Sequence, residues 1–193
     1  MSGADNKVII NELPKTGIGL EDVMDELLLK TSKFKVVRRQ IERGDGGSIP
    51  KELVVHPGAA VVLPITHDGR VVMVRNYRWS IDRELIELPA GTLEPLEEPE
   101  ECACRELEEE TGFVAGTLRP LCRFYTTPGI LTELMHAFIA TDLCEREQKL
   151  SSDEKIQVEI MSFEEIDHAM RTGKIMDGKT LATLLYYQML ERP

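Results

Sequence analysis

Arg105, Glu106, Glu109 and Glu110 stand close together and combine residue types that handle metals and phosphates. On a helix, residues four apart share a face, so Glu106 and Glu110 lie one turn apart and Glu109 borders them. Carboxylates crowded in this way repel unless a cation lies among them. A hard divalent ion suits such a face: Mg²⁺ takes a few carboxylates, waters and phosphate oxygens rather than a complete protein cage. Arg105, four residues before Glu109, can pair with it and fix its orientation. The turn Pro89-Ala90-Gly91 offers backbone carbonyls as further oxygen ligands. Taken alone, Glu106–Glu110 fits a solvated acidic helix face better than a metal site, because short motifs match by chance.

These residues need a helix held between turns. Pro99–Thr111 reads as that helix, with Gly112 at its C-cap position. Leu20–Lys30 carries apolar residues at Val23, Met24, Leu27 and Leu28, a helical rhythm that predicts a short amphipathic helix. Lys33–Glu42 and Glu52–His56 read as strands about a turn at Gly44–Gly47. Ala59–Ile65 and Val71–Arg78 make a hairpin at His67–Arg70, where Gly69 accepts the positive φ required. Glu84–Leu88 is a strand closed by the Pro89–Gly91 turn. Leu121–Tyr125, Leu134–Ala140 and Ile156–Met161 are further strands. Ser162 and Glu165 form a capping box for a helix at Phe163–Thr172, and Lys179–Glu191 is the last helix. Hairpins among interleaved helices predict an α+β fold with a mixed sheet rather than a doubly wound parallel one.

The 193-residue length suits one domain with a small appendage. A net charge of −11 argues against a nucleic-acid backbone as partner. It leaves room for a small anionic substrate, because a divalent metal reverses the local charge. Cys102, Cys104, Cys122 and Cys144 form no CxxC pair or zinc-like cluster, which predicts reduced thiols and a cytoplasmic protein. No signal peptide is expected from the polar start of the chain, and no apolar run of about 18 residues predicts a membrane span.

Over its full length, Gly91–Phe113 fits the pattern G-x5-E-x7-R-E-U-x-E-E-x-G-U, U being apolar, with Glu97 as the outlying glutamate. This stretch resembles the Nudix box. The resemblance implies an α/β/α sandwich that hydrolyses a nucleoside diphosphate linked to another moiety. It implies that Glu106 and Glu110 bind metal, that Glu109 assists as a ligand or orients water, and that Glu97 is structural. Metal would neutralise the diphosphate while water attacks phosphorus, and the protein would supply position and charge.

A second resemblance covers roughly residues 50–190. His56-Pro57-Gly58-Ala59, Val74–Arg78 and Glu84–Gly91 are similar to the ADP-ribose pyrophosphatase branch, as is Pro128, fifteen residues beyond Phe113. That likeness implies a substrate site including Arg78, Glu87 and Pro128. It implies an Ala90 carbonyl as ligand to Mg²⁺, with Mn²⁺ able to substitute. It also implies a homodimer made through the N-terminal strands, so that residues 1–57 form a dimerisation segment and 58–193 the Nudix domain. Where relatives carry an acidic cluster, this chain has Ser151-Ser152-Asp153-Glu154-Lys155. Glu154 fits the ligand position, while Ser152 replaces an acid found in some relatives. Asp153 or Glu154 then joins Glu109 and Arg105 in catalysis, or the box glutamates work alone; a solvated loop is the plain alternative.

The expected substrate is ADP-ribose, cleaved to AMP and ribose 5-phosphate. Pro128–His136 and Asp177–Thr180 also resemble GDP-mannose-hydrolysing relatives, which makes another nucleotide sugar the alternative. A nucleotide sensor without turnover is the third reading, disfavoured by the intact glutamates. His136 reads as a packed strand residue, and His56, His67 and His168 as surface or turn residues. Trp79 reads as packing or as a stacking partner for a base. Arg38, Arg39 and Arg43 read as surface cations, with a reach to a partner's diphosphate as the alternative.

Overall fold

Strand β4 (Ala59–Pro64) is buried along its whole length. Ala59, Val61 and Leu63 point into one core and Ala60 and Val62 into another, which is the period-two alternation of a strand covered on both faces. The computed structural model of the protein describes residues 25–150 and 155–191. β4 sits inside a sheet with β7 (Ala90–Thr92), β8 (Phe113–Tyr125) and β9 (Leu134–Glu145), in the order β7-β4-β9-β8. The β4–β9 pair is parallel and its neighbours are antiparallel, so the sheet is mixed, as expected. A second sheet has the order β10-β5-β6, from β5 (Val71–Arg78), β6 (Arg83–Glu87) and β10 (Ile156–Met161).

Helix α1 (Pro99–Thr111) lays Cys102, Ala103 and Leu107 against Ala60, Val62 and Phe138. Ile166 and Ala169 of α2 (Phe163–Arg171) and Leu184 of α3 (Gly178–Leu190) belong to the other core, with Val61, Leu63 and Met73. The result is the expected sandwich, with helices against both faces of β4. The expected capping box of α2 is present: Ser162 Oγ accepts from the Glu165 N–H at 3.2 Å. Gly112 ends α1 at φ 73°, where an added Cβ would lie 2.7 Å from the Arg146 carbonyl. Among the described residues, no helix is long and apolar enough to cross a membrane.

The first described strands form a separate meander: β1 (Glu26–Lys30), β2 (Lys35–Glu42) and β3 (Ser48–Val55). This corrects the helix expected over Leu20–Lys30. Its described part, from Glu26, is a strand paired with β2, and its first residues lie outside the described ones. A short apolar run does not distinguish helix from strand by rhythm alone. Here the hairpin decides: Thr31 Oγ1 accepts from the Phe34 N–H at 2.9 Å, and the closed turn sets β1 against β2. Arg38 and Arg39 are not free surface cations. Arg38 bridges Glu26 and Glu52, and Arg39 grips Asp25 through two bonds of 2.8 and 2.6 Å. The meander is tied to the sandwich where the Val54 N–H donates to the Ile130 carbonyl at 2.8 Å and its carbonyl accepts from Thr132 at 3.0 Å.

Leu96, in the loop before α1, has φ 69° and a fully exposed side chain. A side chain in the left-handed region costs about 1–2 kcal/mol, and this one recovers nothing by burial. Leu96→Gly should therefore stabilise the protein by about 0.5–1 kcal/mol after the added freedom of the unfolded glycine is subtracted. A raised urea midpoint at unchanged m-value is the expected result.

Candidate active site

Helix α1 brings its glutamates to the strand β7, a stretch that reads in the sequence only as a turn. Ala90 instead pairs with Val61, and this fixes the backbone against which the carboxylates rest. Glu110 Oε2 accepts from the Ala90 N–H at 3.0 Å. Glu106 lies so close to Gly91 that a Cβ there would fall 1.7 Å from its Oε1. Only glycine permits that approach. Cys102 Sγ donates to the Gly91 carbonyl at 3.5 Å, a further tie between helix and strand.

Arg105 organises the acidic face. Its Nε and Nη2 donate to the two oxygens of Glu97 at 2.7 and 3.0 Å, and its Nη1 donates to Glu106 at 2.6 Å and Glu109 at 3.1 Å. One guanidinium thus holds three of the glutamates. Its bond to Glu97, helped by Glu106, raises its pKa further, and the same bond holds the Glu97 carboxyl below its ordinary value. Glu97 thus holds the Arg105 guanidinium from the loop before α1. The expected Arg105–Glu109 pair forms as well, but it is one contact of several.

Glu110 is 4% exposed. Burial, reinforced by the neighbouring charge of Glu106, pushes its pKa up to about 8, against the opposing pull of the Ala90 N–H, Arg78 and Lys179. Glu106 and Glu110 are two close, buried carboxylates, and the one guanidinium that bonds Glu106 is shared with Glu97 and Glu109. Among the described residues, no three acidic, His or Cys side chains stand ready around a common point. The donor set nevertheless suits a hard divalent cation, which needs only a few carboxylates and keeps several waters. Glu106 and Glu110 would hold it, Glu106 from the space that Gly91 leaves beside the strand.

Beside these carboxylates a cleft of about 680 Å³ opens, walled by β6, β7, the end of β8 and the start of α3. Arg78 and Glu87 both line it. Arg78 grips Glu87 through Nε and Nη2 at 2.7 and 2.5 Å, and Glu87 is almost wholly buried. Lys179 Nζ also bonds Glu87, and it reaches Asp177 at 2.9 Å. Burial alone would raise the Asp177 carboxyl, but Lys179 and the Thr180 N–H outweigh it and hold it below its usual value. Asp177 caps α3 by accepting from Thr180 N–H at 2.9 Å, one residue earlier than the expected helix start. Across the cleft, Glu133 accepts from Thr126 Oγ1 at 2.6 Å.

Several expected positions lie elsewhere. Pro128 is exposed at a turn and is not part of the cleft wall, which Thr127 and Leu131 form on either side of it. Trp79 is exposed, sits edge-on to Tyr77 and does not line the cleft. His56 is not a surface residue: its Nδ1 accepts from the Gly58 N–H at 3.2 Å and lies 3.7 Å from Glu133. Burial depresses its pKa. His136 is packed, as expected, and burial lowers its pKa as well. Asp153 and Glu154 lie outside the described residues. The segment before them is pinned to α1, with the Lys149 N–H donating to the Glu109 carbonyl at 3.0 Å and Gln148 Nε2 to the Glu110 carbonyl at 2.5 Å. The sequence marks Asp177–Thr180 only by a likeness. Its contact with Glu87 joins distant parts of the chain and leaves no local signal.

Residues 55–183 match the family described as the NUDIX domain. The chain belongs to the Nudix family. Among curated relatives it is 40% identical over 153 residues to an ADP-ribose pyrophosphatase of Bacillus subtilis (strain 168), covering 78% of this chain and 83% of that one. It is 34% identical to a methanol dehydrogenase activator of Bacillus methanolicus, covering 88% and 96%. It is 35% identical to a GDP-mannose pyrophosphatase of Escherichia coli O1:K1 / APEC, covering 80% and 81%. A solved structure described as an ADP compounds hydrolase superposes with a TM-score of 0.75 at 19% identity, covering 89% of this chain and 96% of that one, and shows the shared Nudix fold. Nudix hydrolases generally need a divalent metal ion, in keeping with the donor set around Glu106 and Glu110.

The raised pKa of Glu110 has a consequence for metal-free protein. Its folded pKa of about 8 lies above the ordinary value of 4.5, so folding favours the protonated form. The stabilising effect is full below the unfolded pKa and is lost as pH rises through about 8. With chelator present, Glu110→Gln should match the native protein near pH 5 and exceed it near pH 9 by on the order of a few kcal/mol. Denaturant titrations at the two pH values measure this, and equal stability at both would refute the shift.

Proposed function

We propose that this Nudix hydrolase cleaves the diphosphate bond of ADP-ribose, giving AMP and ribose 5-phosphate, with Mg²⁺ as metal and Mn²⁺ able to replace it. The observation that carries the reading is a cleft with two cations, Arg78 and Lys179, on one wall, beside the buried carboxylate pair of α1. The 40% identity to an ADP-ribose pyrophosphatase supports the choice of substrate.

In this reading Glu106 and Glu110 hold the metal, with the Ala90 carbonyl as a further ligand. When bound, the metal neutralises diphosphate charge and makes water more acidic. The chain does the rest by position. Arg105 keeps Glu106 and Glu109 apart and oriented. Glu109 is the most open of the three, with 40% of its side chain exposed, and is suited to orient the attacking water. Asp153 or Glu154 is the other candidate base. Arg78, set by Glu87, binds the substrate, and Pro128 shapes the turn behind Thr127.

GDP-mannose is the second reading, supported by the relative that carries that name and by the likeness at Asp177–Thr180. The segment 1–57 acts in dimerisation: Leu27, Leu29 and Phe34 of its meander are apolar yet exposed in a single chain. The four free cysteines are in keeping with a reducing, cytoplasmic setting.

Incubation with ADP-ribose and Mg²⁺ should release AMP, and a panel of nucleotide sugars ranks the alternatives. Turnover of GDP-mannose without AMP release from ADP-ribose would replace the first reading by the second. Glu110→Gln should lower kcat by on the order of 10²–10³ or more while the circular dichroism spectrum is unchanged. Sedimentation should give a dimer, and a monomer at micromolar concentration would remove the role proposed for residues 1–57.

A further inference from the structure

We propose that Thr180 is a positioning residue of the hydrolase: its buried hydroxyl, bonded to the Leu88 N–H, sets the crossover from Glu87 to Ala90 and with it the strand on which the α1 carboxylates rest. This rests on the hydrolase reading above and deepens it.

The chain changes sheets at this crossover. Glu87 ends β6, in the sheet with β5 and β10, and Ala90 begins β7, in the sheet with β4. Leu88 and Pro89 between them have no strand partner. Proline has no N–H, so the two residues carry a single backbone donor. The Pro89 carbonyl accepts from the Val62 N–H at 2.9 Å, which ties the crossover to β4. The Leu88 N–H donates to Thr180 Oγ1 at 2.9 Å, which ties it to α3. Leu88 and Thr180 are both fully buried. Water cannot take the place of the hydroxyl there, and an unpaired N–H is costly.

A threonine in a helix often turns its hydroxyl onto a carbonyl of the preceding turn. Thr183 does so, donating to the Lys179 carbonyl at 2.8 Å. Thr180 stands in the first turn of α3, its own N–H capped by Asp177, and its oxygen receives a donor from outside the helix. Neither Thr180 nor Leu88 lines the cleft, whereas Glu87, Ala90, Asp177 and Lys179 do. The bond therefore lies behind the wall and acts through the backbone. Lys179 also joins α3 to Glu87, but through a flexible four-carbon stem that leaves the backbone register open. A bond to the Leu88 N–H fixes that register. Beyond the crossover, the Ala90 N–H donates to Glu110 at 3.0 Å and Gly91 seats Glu106. A shift at Leu88 is thus passed on to the carboxylate pair.

The competing role is packing alone. Four proteins separate the two: the native chain, Thr180→Val, Thr180→Ser and Thr183→Val. Valine keeps the shape of threonine and removes the acceptor, while serine keeps the acceptor and removes a methyl. Thr183→Val removes another buried hydroxyl from the same helix without touching the crossover. Should Thr180→Val not fold, Thr180→Cys takes its place, since a thiol is a weak acceptor. Amide exchange at Ala90 is followed by NMR in metal-free protein. kcat, KM and the Mg²⁺ concentration for half-maximal rate are measured well below each melting temperature, with ADP-ribose or the nucleotide sugar that the native chain prefers. Thr180→Val should speed exchange at Ala90, raise the Mg²⁺ requirement and lower kcat on the order of 10- to 100-fold, with little change in KM. Thr180→Ser and Thr183→Val should keep native kcat and native exchange at Ala90, even where their melting temperatures fall. Native kcat and native Ala90 exchange in Thr180→Val, or an equal loss of kcat in Thr180→Ser, overturns the role of Thr180 alone. A native chain that cleaves no nucleotide sugar overturns the hydrolase reading together with it.

Discussion

The Arg105 guanidinium, shared among Glu97, Glu106 and Glu109, is the contact on which the acidic face depends. Without it, the carboxylates on one side of α1 would repel across a few ångströms in partly dry surroundings, where such repulsion is weakly screened. With it, each has a fixed direction: Glu97 is tied to the loop, Glu106 is drawn beside Gly91, and Glu109 is left open to solvent. Glu110 is the one carboxylate that Arg105 does not reach in this set. Its raised pKa follows from its burial and from the neighbouring charge of Glu106. The charge deficit is therefore centred on Glu110 and is not an accident of composition: it is what remains after the arginine has paired with Glu97, Glu106 and Glu109.

The cleft extends this polarity. Its wall of Arg78 and Lys179 is built on two carboxylates of its own, Glu87 and Asp177, so its net charge is small. A diphosphate placed between that wall and a divalent cation at α1 would meet donor groups on one side and the cation on the other. The fold makes this possible through β4. Because β4 is covered on both faces, α1 can pack on one side and α3 can reach the other core, and β7 at the edge of the sheet meets both the helix and the cleft.

What was legible in the sequence was what depends on neighbours in the chain. The bounds of α1, its Gly112 cap and the Ser162–Glu165 box are set by residues within one or two turns, and each appeared as expected. The stretch Glu26–Lys30 resists such a reading because three consecutive leucines fit either period, and its pairing with β2 is decided by the turn between them. β8 and β9 run longer than their expected segments, since Gly116, Arg119 and Pro120 interrupt the apolar run of β8, Thr141, Asp142 and Glu145 that of β9, and Pro120 stands next to a shift in pairing register. At the site, the box residues were readable because a helix fixes their geometry. Lys179 on Glu87 and His56 beside Glu133 were not, for these contacts join segments that only the folded sandwich brings together. Pro128 was readable as a family likeness, but its exposure was not.

The closeness of Glu106 to Gly91 also bears on how this segment can vary. Helix α1 is held at its start by the Glu98–Glu101 box and at its end by Gly112, whose far side meets residue 146. Its rotational phase is therefore locked. One residue added inside it would turn everything beyond by about 100°, swinging the following carboxylates out of the groove while leaving the composition of the helix nearly unchanged. Replacements at the outward positions of α1 alter little, whereas a change in its length alters all of the site at once. A segment under that geometric rule diverges by substitution and not by insertion, so its spacing outlasts the identity of the residues between the fixed points.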